Sequence, residues 1–96
     1  MPDFGDRRVM GCSRGDLERW AAELLGPGAG RFVDDRLDLA SAGIPVAIVV
    51  RDAPARSLGL IRFRELEVRF EYVPQDRAVA REWIARFDRH TQRGGG

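Results

Sequence analysis

The stretch from Glu65 to Val73 alternates between charged and apolar side chains, and this alternation constrains the fold more than any other feature of the sequence. Successive side chains of a β-strand point to opposite faces of a sheet, so such a strand has one buried face and one solvated face. We therefore predict a long strand in a sheet that is covered on one side. Its apolar set is Leu66, Val68, Phe70 and Tyr72.

The residues just before this strand carry their apolar side chains at the opposite parity. Ile61 and Phe63 belong to the other set, so the alternation slips by one residue at Arg64-Glu65. A slip exchanges the two faces of a strand unless a bulge or a tight turn absorbs the extra residue. We predict a bulge or a hairpin corner at Arg64-Glu65.

A second strand is indicated by the unbroken run IPVAIVVR at residues 44–51. Both faces of this run are apolar, which is typical of a central strand that is covered at least in part on both sides. Residues 52–59 contain Pro54 and Gly59 and are predicted to form a loop. A short strand is predicted for residues 7–12.

Two segments have the three- and four-residue apolar spacing of amphipathic helices. Ser13 can cap the first helix with Asp16 as its reciprocal partner, and Gly26 ends it. The second helix is predicted for residues 74–92, and each helix turns one tryptophan towards the sheet. The apolar stripes are Leu17, Trp20, Ala21, Leu24 and Leu25 in the first helix and Val79, Ala80, Trp83, Ile84 and Phe87 in the second.

The remaining segments join or flank these elements. Residues 32–43 fit a strand, which we favour, and also fit a short helix that stops at Gly43. The sequence GPGAG at 26–30 predicts a turn or hinge that serves as a linker. Residues 1–6 are expected to form a loose arm and residues 93–96 a flexible tail, around a single domain at 7–92.

The predicted elements follow one another in the order β-α-β-β-β-α. In this order the apolar faces of all elements can be buried if both helices cover one face of a mostly antiparallel sheet. The predicted fold class is therefore α+β. The arrangement is similar to a ferredoxin-like fold whose last strand is missing or replaced. Such an architecture serves many unrelated functions, so the fold class alone does not define one.

Composition and charge reduce the number of function classes that fit the chain. Hydrophobic residues make up 44% and charged residues 32% of the chain, and no apolar run approaches the ~18 residues of a membrane-spanning helix. The single cysteine, Cys12, and the lack of a charged and then apolar leader favour a cytosolic protein. All sixteen basic residues are arginine, which is typical of a GC-rich bacterial genome. A net charge of +1 disfavours nucleic acids and membranes as partners.

Few residues are suited to catalysis or metal binding. Cys12 precedes a predicted helix, whose N-terminus can stabilise a thiolate, so one hypothesis is a reactive thiol; the favoured alternative is a small buried side chain. A dyad of Cys12 with His90 requires the two helix ends to meet. The cluster of Asp34, Asp35 and Asp38 lacks the spacing of a calcium loop, and one cysteine with one histidine does not make a zinc site. We predict no metal and no cofactor, and we disfavour an enzyme.

The second helix has a mild excess of basic residues, which fits an acidic partner surface, although a solvated helix face explains it as well. The same arginines are the candidates for a weak nucleic-acid interface, whose affinity would fall steeply with salt. They are Arg77, Arg81, Arg86, Arg89 and Arg93.

The chain ends in three glycines after Arg93. The pair Gly95-Gly96 resembles the ends of ubiquitin-like and sulfur-carrier proteins, and that resemblance implies a carrier whose last glycine is activated by adenylation. Tails of that kind leave a final strand, whereas this one follows a predicted helix. The alternative is a flexible tail that ends the helix.

We therefore expect a small cytosolic module, without chemistry of its own, that binds a protein partner or itself. A sheet of this kind leaves an edge at which another strand can pair. The carrier and the nucleic-acid binder are the alternative hypotheses.

Overall fold

The structure is a computed structural model, and it describes residues 3–53, 56–58, 61–63 and 65–93 of the chain. Short 3₁₀ turns at 27–29, 40–42 and 74–76 connect the longer elements. In chain order these elements are β1 Asp3–Met10, α1 Arg14–Leu25, β2 Arg36–Asp38, β3 Ala47–Asp52, β4 Arg56–Leu58, β5 Ile61–Phe63, β6 Leu66–Tyr72 and α2 Arg77–Arg93.

The main sheet has four antiparallel strands in the order β1-β6-β3-β2. Its interior strands are β6 and β3, the two segments with the strongest strand patterns. In β6 the apolar residues are buried and the charged ones are half-buried, as the alternation predicts. Phe70 is paired with Ile48 of β3, and Val68 with Val50, so the apolar side chains of the two strands line one face.

Both helices cover this face. The ring of Phe70 lies 5.6 Å from that of Phe87 and 6.4 Å from that of Trp83, both on α2. Trp20 of α1 meets Phe87 edge-on at 6.4 Å, so aromatic side chains of both helices and the sheet form one core. The predicted α+β class, with two helices and an antiparallel sheet, is confirmed. One residue of the predicted stripe is wrong: Val79 is 52% exposed, because the buried side of α2 begins one residue later.

The N-terminus of α1 forms the predicted capping box. The Ser13 hydroxyl accepts a hydrogen bond from the Asp16 N–H at 3.1 Å, and the Asp16 carboxylate accepts one from the Ser13 N–H at 3.0 Å. The Ser13 backbone N–H is the main reason that the pKa of Asp16 lies below its usual range. At the other end, the Gly26 N–H donates to the Ala22 carbonyl and closes the helix.

The segment 26–30 forms the predicted turn, but it packs against the core and is not a free linker. Gly26 and Gly30 both have a φ of 83°, and the 3₁₀ turn between them buries Ala29 completely. The small side chain of Ala29 belongs to the core cluster, so packing holds this turn in place.

Replacement of Gly26 with alanine is expected to lower the free energy of unfolding by about 1–3 kcal/mol. Gly26 has φ 83° and ψ −173°, a conformation in which essentially only glycine is comfortable. An added Cβ at Gly26 would meet nothing within 4 Å, so the cost comes from the backbone alone. Urea unfolding followed by tryptophan fluorescence measures this change.

Gly28→Ala is the matched control. Gly28 lies in the same turn without a positive φ, and its Cβ would also meet nothing within 4 Å. This substitution should leave stability unchanged or raise it by about 0.4–1 kcal/mol. Equal losses for both variants would contradict the backbone explanation.

Several predicted boundaries differ from the structure. The first strand begins at Asp3 and so includes most of the expected arm. The region 32–43 contains the favoured strand as the three-residue β2, whereas no helix begins at Asp34 or Asp35 and only a 3₁₀ turn at 40–42 precedes Gly43. The predicted loop at 52–59 is wrong in part, because β3 extends to Asp52 and β4 lies within the region.

The slip before β6 marks a change of sheet. β5 pairs with β4 in a separate two-stranded sheet, whereas β6 belongs to the main sheet. The apolar residues before and after the slip therefore lie in two different strands, and no single strand has to change its buried face. The predicted corner falls on Arg64, which lies outside the described residues, and on Glu65. No helix in the described part of the chain is long and apolar enough to cross a membrane.

Candidate functional site

A cleft of about 340 Å³ opens where β1 ends, between this strand and the two helices. The strand continues through Gly11 into the cap of α1, and this turn brings residues of both elements to one wall. The opposite wall is the last part of α2. The side chains that define the cleft are Arg8, Met10, Cys12, Trp20, Asp88 and Thr91.

Arg8 holds the sheet and α2 together at this cleft. It is paired with Val68 of β6, and its side chain reaches α2, where its guanidinium forms an ion pair with Asp88. The guanidinium carbon also lies 5.0 Å from the centre of the Phe70 ring, a cation–π contact. The side chains of this ion pair are mostly buried, since 26% of Arg8 and 32% of Asp88 is exposed. The buried Thr91 hydroxyl donates to the backbone carbonyl of Asp88 at 3.2 Å, within the same helix.

Cys12 lies in this cleft as a partly buried side chain against the core. Burial is the main cause that raises the pKa of the Cys12 thiol to about 11, and the nearby Asp16 carboxylate adds to it. The carboxylate that completes the capping box thus opposes the effect of the helix N-terminus on the thiol. At neutral pH the thiol is protonated, which disfavours a nucleophilic role.

His90 is directed elsewhere. Its Nε2 lies 2.6 Å from the Glu23 carboxylate of α1, and it lines a separate shallow cleft of about 190 Å³ with Leu24, Arg86 and Arg89. The structure therefore does not bring Cys12 and His90 together, because they line two different clefts.

The arginines of α2 do not form one patch. Arg77 and Arg86 are nine residues apart, about two and a half helical turns, and so lie on opposite sides of the helix. Arg86 and Arg89 share the small cleft with His90, and Arg81 is exposed. The side chain of Arg93 and the residues Gly95 and Gly96 lie outside the part that the structure describes.

The clustered aspartates are used locally. Asp35 forms an ion pair with Arg14 at 2.7 Å, and Asp38 accepts a hydrogen bond from the Ala40 N–H at 2.9 Å. Asp34 adopts a positive φ of 55° in the tight turn that leads into β2. Among the described residues, no three His, Cys, Asp or Glu side chains are grouped closely enough to hold a metal ion.

The face of the main sheet opposite the helices carries rows of charge. Pairing across the strands places Arg7, Arg69, Val49 and Arg36 in one row. The flanking carboxylates are engaged: Glu71 binds Arg36 at 2.8 Å and Glu67 binds Arg51 at 2.9 Å. The bond from Arg51 lowers the pKa of Glu67. No described helix covers this outer face.

Within the described ranges, no strand pairs with the outer side of the β1 backbone. The Val50 N–H donates to the Asp35 carbonyl, so the backbone groups of Val50 point from β3 towards β2. The N–H and C=O groups of successive residues point alternately to the two sides of a strand, so this bond fixes which residues of each paired strand point to which neighbour. Carried through the register to β1, this pattern points the N–H and C=O groups of Arg8 and Met10 towards β6. Those of Arg7 and Val9 therefore point outward, along the edge of the sheet that meets the cleft.

Sequence reasoning missed the central member of this site. Arg8 follows Arg7 in a segment without clear periodicity, and only the register with β6 reveals that it faces the helices. An arginine at the helix-facing parity of a strand, with an aspartate near the end of the following helix, is the signal that could have found the pair.

The fold and the site together define an α+β protein with an open sheet edge beside a small, mostly apolar cleft. The chain matches no family model, and no curated protein or solved structure is significantly similar to it.

Proposed function

We propose that the chain is a non-enzymatic module that binds another protein through the β1 side of its main sheet. The observation that carries this proposal is the outward direction of the Arg7 and Val9 backbone groups beside the cleft. Unpaired groups at a sheet edge are a template for a further strand, which is a common mode of protein recognition. Val9 is also 57% exposed, although it is a large apolar residue.

The contents of the cleft favour binding over catalysis. Its charged groups, Arg8 and Asp88, neutralise each other, and its thiol, that of Cys12, is protonated. General acid–base chemistry needs a group whose pKa lies near the working pH and that reaches a substrate. His90 is engaged with Glu23 and lines a different cleft.

A ferredoxin-like fold type and a bacterial, cytosolic origin belong to the same proposal. The order of the main-sheet strands and helices, β-α-β-β-β-α, supports the first. The lone Cys12 and the use of arginine for every basic residue support the second.

Photo-crosslinking in the cells that produce the protein tests this proposal. We expect a p-benzoylphenylalanine placed at Val9 to yield a discrete covalent adduct with one other protein, identified by mass spectrometry. The same group at Val79, an equally exposed valine on α2, is the control and should yield none. An adduct of twice the chain mass would instead indicate self-association.

Two results would contradict the proposal. The first is the absence of an adduct at Val9 when the variant is folded and expressed at the normal level. The second is the same set of adducts at Val9 and Val79, since such capture reflects general exposure and not a binding edge.

A further inference from the structure

The open edge of β1 and the cleft share residues, so one ligand can occupy both. Val9 and Met10 belong to the strand and also line the cleft. We propose that the partner contributes an extended acidic segment that pairs along Arg7–Met10 and places one apolar side chain in the cleft. This inference rests on the proposed function and specifies the chemistry of the partner.

The backbone sets the mode of binding. Arg7 and Val9 each direct one N–H and one C=O outward, spaced as an added strand requires. The ladder of β1 with β6 uses the alternate residues, so an added strand leaves the existing sheet intact. The strand has a register irregularity between Asp3 and Asp6, which confines regular pairing to the part of β1 next to the cleft.

The cleft selects an apolar side chain. A residue of the added strand opposite Arg8 or Met10 lies on the helix-facing side, where the cleft opens. Met10, Cys12 and Trp20 contribute apolar surface there, and Arg8 already has a carboxylate partner in Asp88. A charged side chain would lose its hydration in this volume without a free counter-charge, whereas an apolar one gains from burial.

The outer face selects an acidic side chain. Arg7 is exposed and lies at the edge end of the arginine row, and a residue opposite it in an added strand would stand beside its guanidinium. Opposite charges at such cross-strand positions are favourable and like charges are not. Antiparallel pairing with a second copy, centred on Arg7 or Arg8, would set arginine opposite arginine, so a different chain with acidic residues fits the edge better than a second copy in either of these registers.

The alternation of side chains along β1 predicts the spacing of the acidic and the apolar residue in the partner's segment. The residue opposite Arg7 and the residue opposite Arg8 or Met10 are separated by one or three positions. We therefore expect a pattern when a phage-displayed library of random linear peptides is selected on the full chain. The enriched peptides should contain Asp or Glu one or three positions away from a large apolar residue. Affinities of the enriched peptides are then measured by fluorescence anisotropy with synthetic copies.

Val9→Pro tests the backbone pairing. Proline removes an N–H that points away from β6, and an edge position tolerates it, so the protein should remain folded. We expect affinity for the enriched peptide to fall by about tenfold or more, as for the loss of one or two backbone hydrogen bonds. Val9→Ala keeps the N–H and should retain affinity within about threefold. Circular dichroism checks that both variants fold.

Arg7→Glu tests the charge without altering the backbone. It should weaken binding of the acidic peptide and strengthen binding of a copy in which lysine replaces the acidic residue. This exchange of preference is a readout that a loss of folding cannot imitate.

Three outcomes would overturn the inference: no enrichment of the predicted spacing, affinity that is unchanged in Val9→Pro, or no exchange of preference in Arg7→Glu. If the Val9 crosslink still captures one protein, the proposed function stands and only the extended acidic ligand is rejected. If neither crosslink nor peptide binding is found, both are rejected.

Discussion

Replacement of Phe70 with alanine is expected to lower the free energy of unfolding by about 3–5 kcal/mol. Phe70 is fully buried at the centre of the sheet, where its ring contacts Trp83 and Phe87 edge-on and also carries the guanidinium of Arg8. Truncation leaves a cavity beneath α2 and removes three ring interactions at once. Urea unfolding followed by circular dichroism measures the loss.

Two further variants calibrate this result. Ile48 is fully buried and is paired with Phe70 in the sheet. Ile48→Val should lower the free energy of unfolding by about 0.5–1.5 kcal/mol, a loss small enough for the protein to stay folded. Val79→Ala, on the exposed side of α2, should change stability by no more than about 0.5 kcal/mol. A cost for Phe70→Ala as small as that of Val79→Ala would contradict the single core between sheet and helices.

Cys12 is expected to react with iodoacetamide about 100-fold more slowly at neutral pH than an ordinary cysteine. The reason is its pKa of about 11, which burial raises first and the Asp16 carboxylate second. The thiolate is the reacting form, so the rate should rise steadily with pH up to about 11 and show no plateau between pH 6 and 8. Alkylation rates measured by mass spectrometry across this range test the expectation.

An unfolded peptide that spans residues 9–15 is the matched reference, since it contains the same cysteine without the cleft. Equal rates for peptide and folded protein at neutral pH would contradict the buried thiol. A plateau near neutral pH would restore the hypothesis of a reactive cysteine.

The elements that sequence patterns could predict are those whose own residues decide the structure. The alternation in β6 and the capping box at Ser13 and Asp16 are local, and the structure confirms both. The region 52–59 shows the limit of this reasoning. Proline and glycine indicated a loop there, but β4 forms because β5 is available to pair with it, and this pairing is not encoded within either segment alone.

The candidate site depends on contacts between distant parts of the chain. Arg8 and Asp88 are eighty positions apart, and their meeting requires the pairing of β1 with β6 and the packing of α2 on both. The placement of His90 follows the same rule, since its partner Glu23 lies on the other helix. Residue types could suggest Cys12 and His90 as a pair, but only the fold separates them.

The order of strands in the main sheet has a consequence for how the protein is made. The sheet partner of β1 in the described structure is β6, which leaves the ribosome after β2, β3, β4 and β5. Strands β2, β3 and β6 are adjacent in the sheet and can assemble as a unit, whereas β1 must close a long loop to join them. Because β1 lies beside β6 in the sheet, a nascent chain cannot present the β1 edge as part of this sheet before Leu66–Tyr72 has been synthesised.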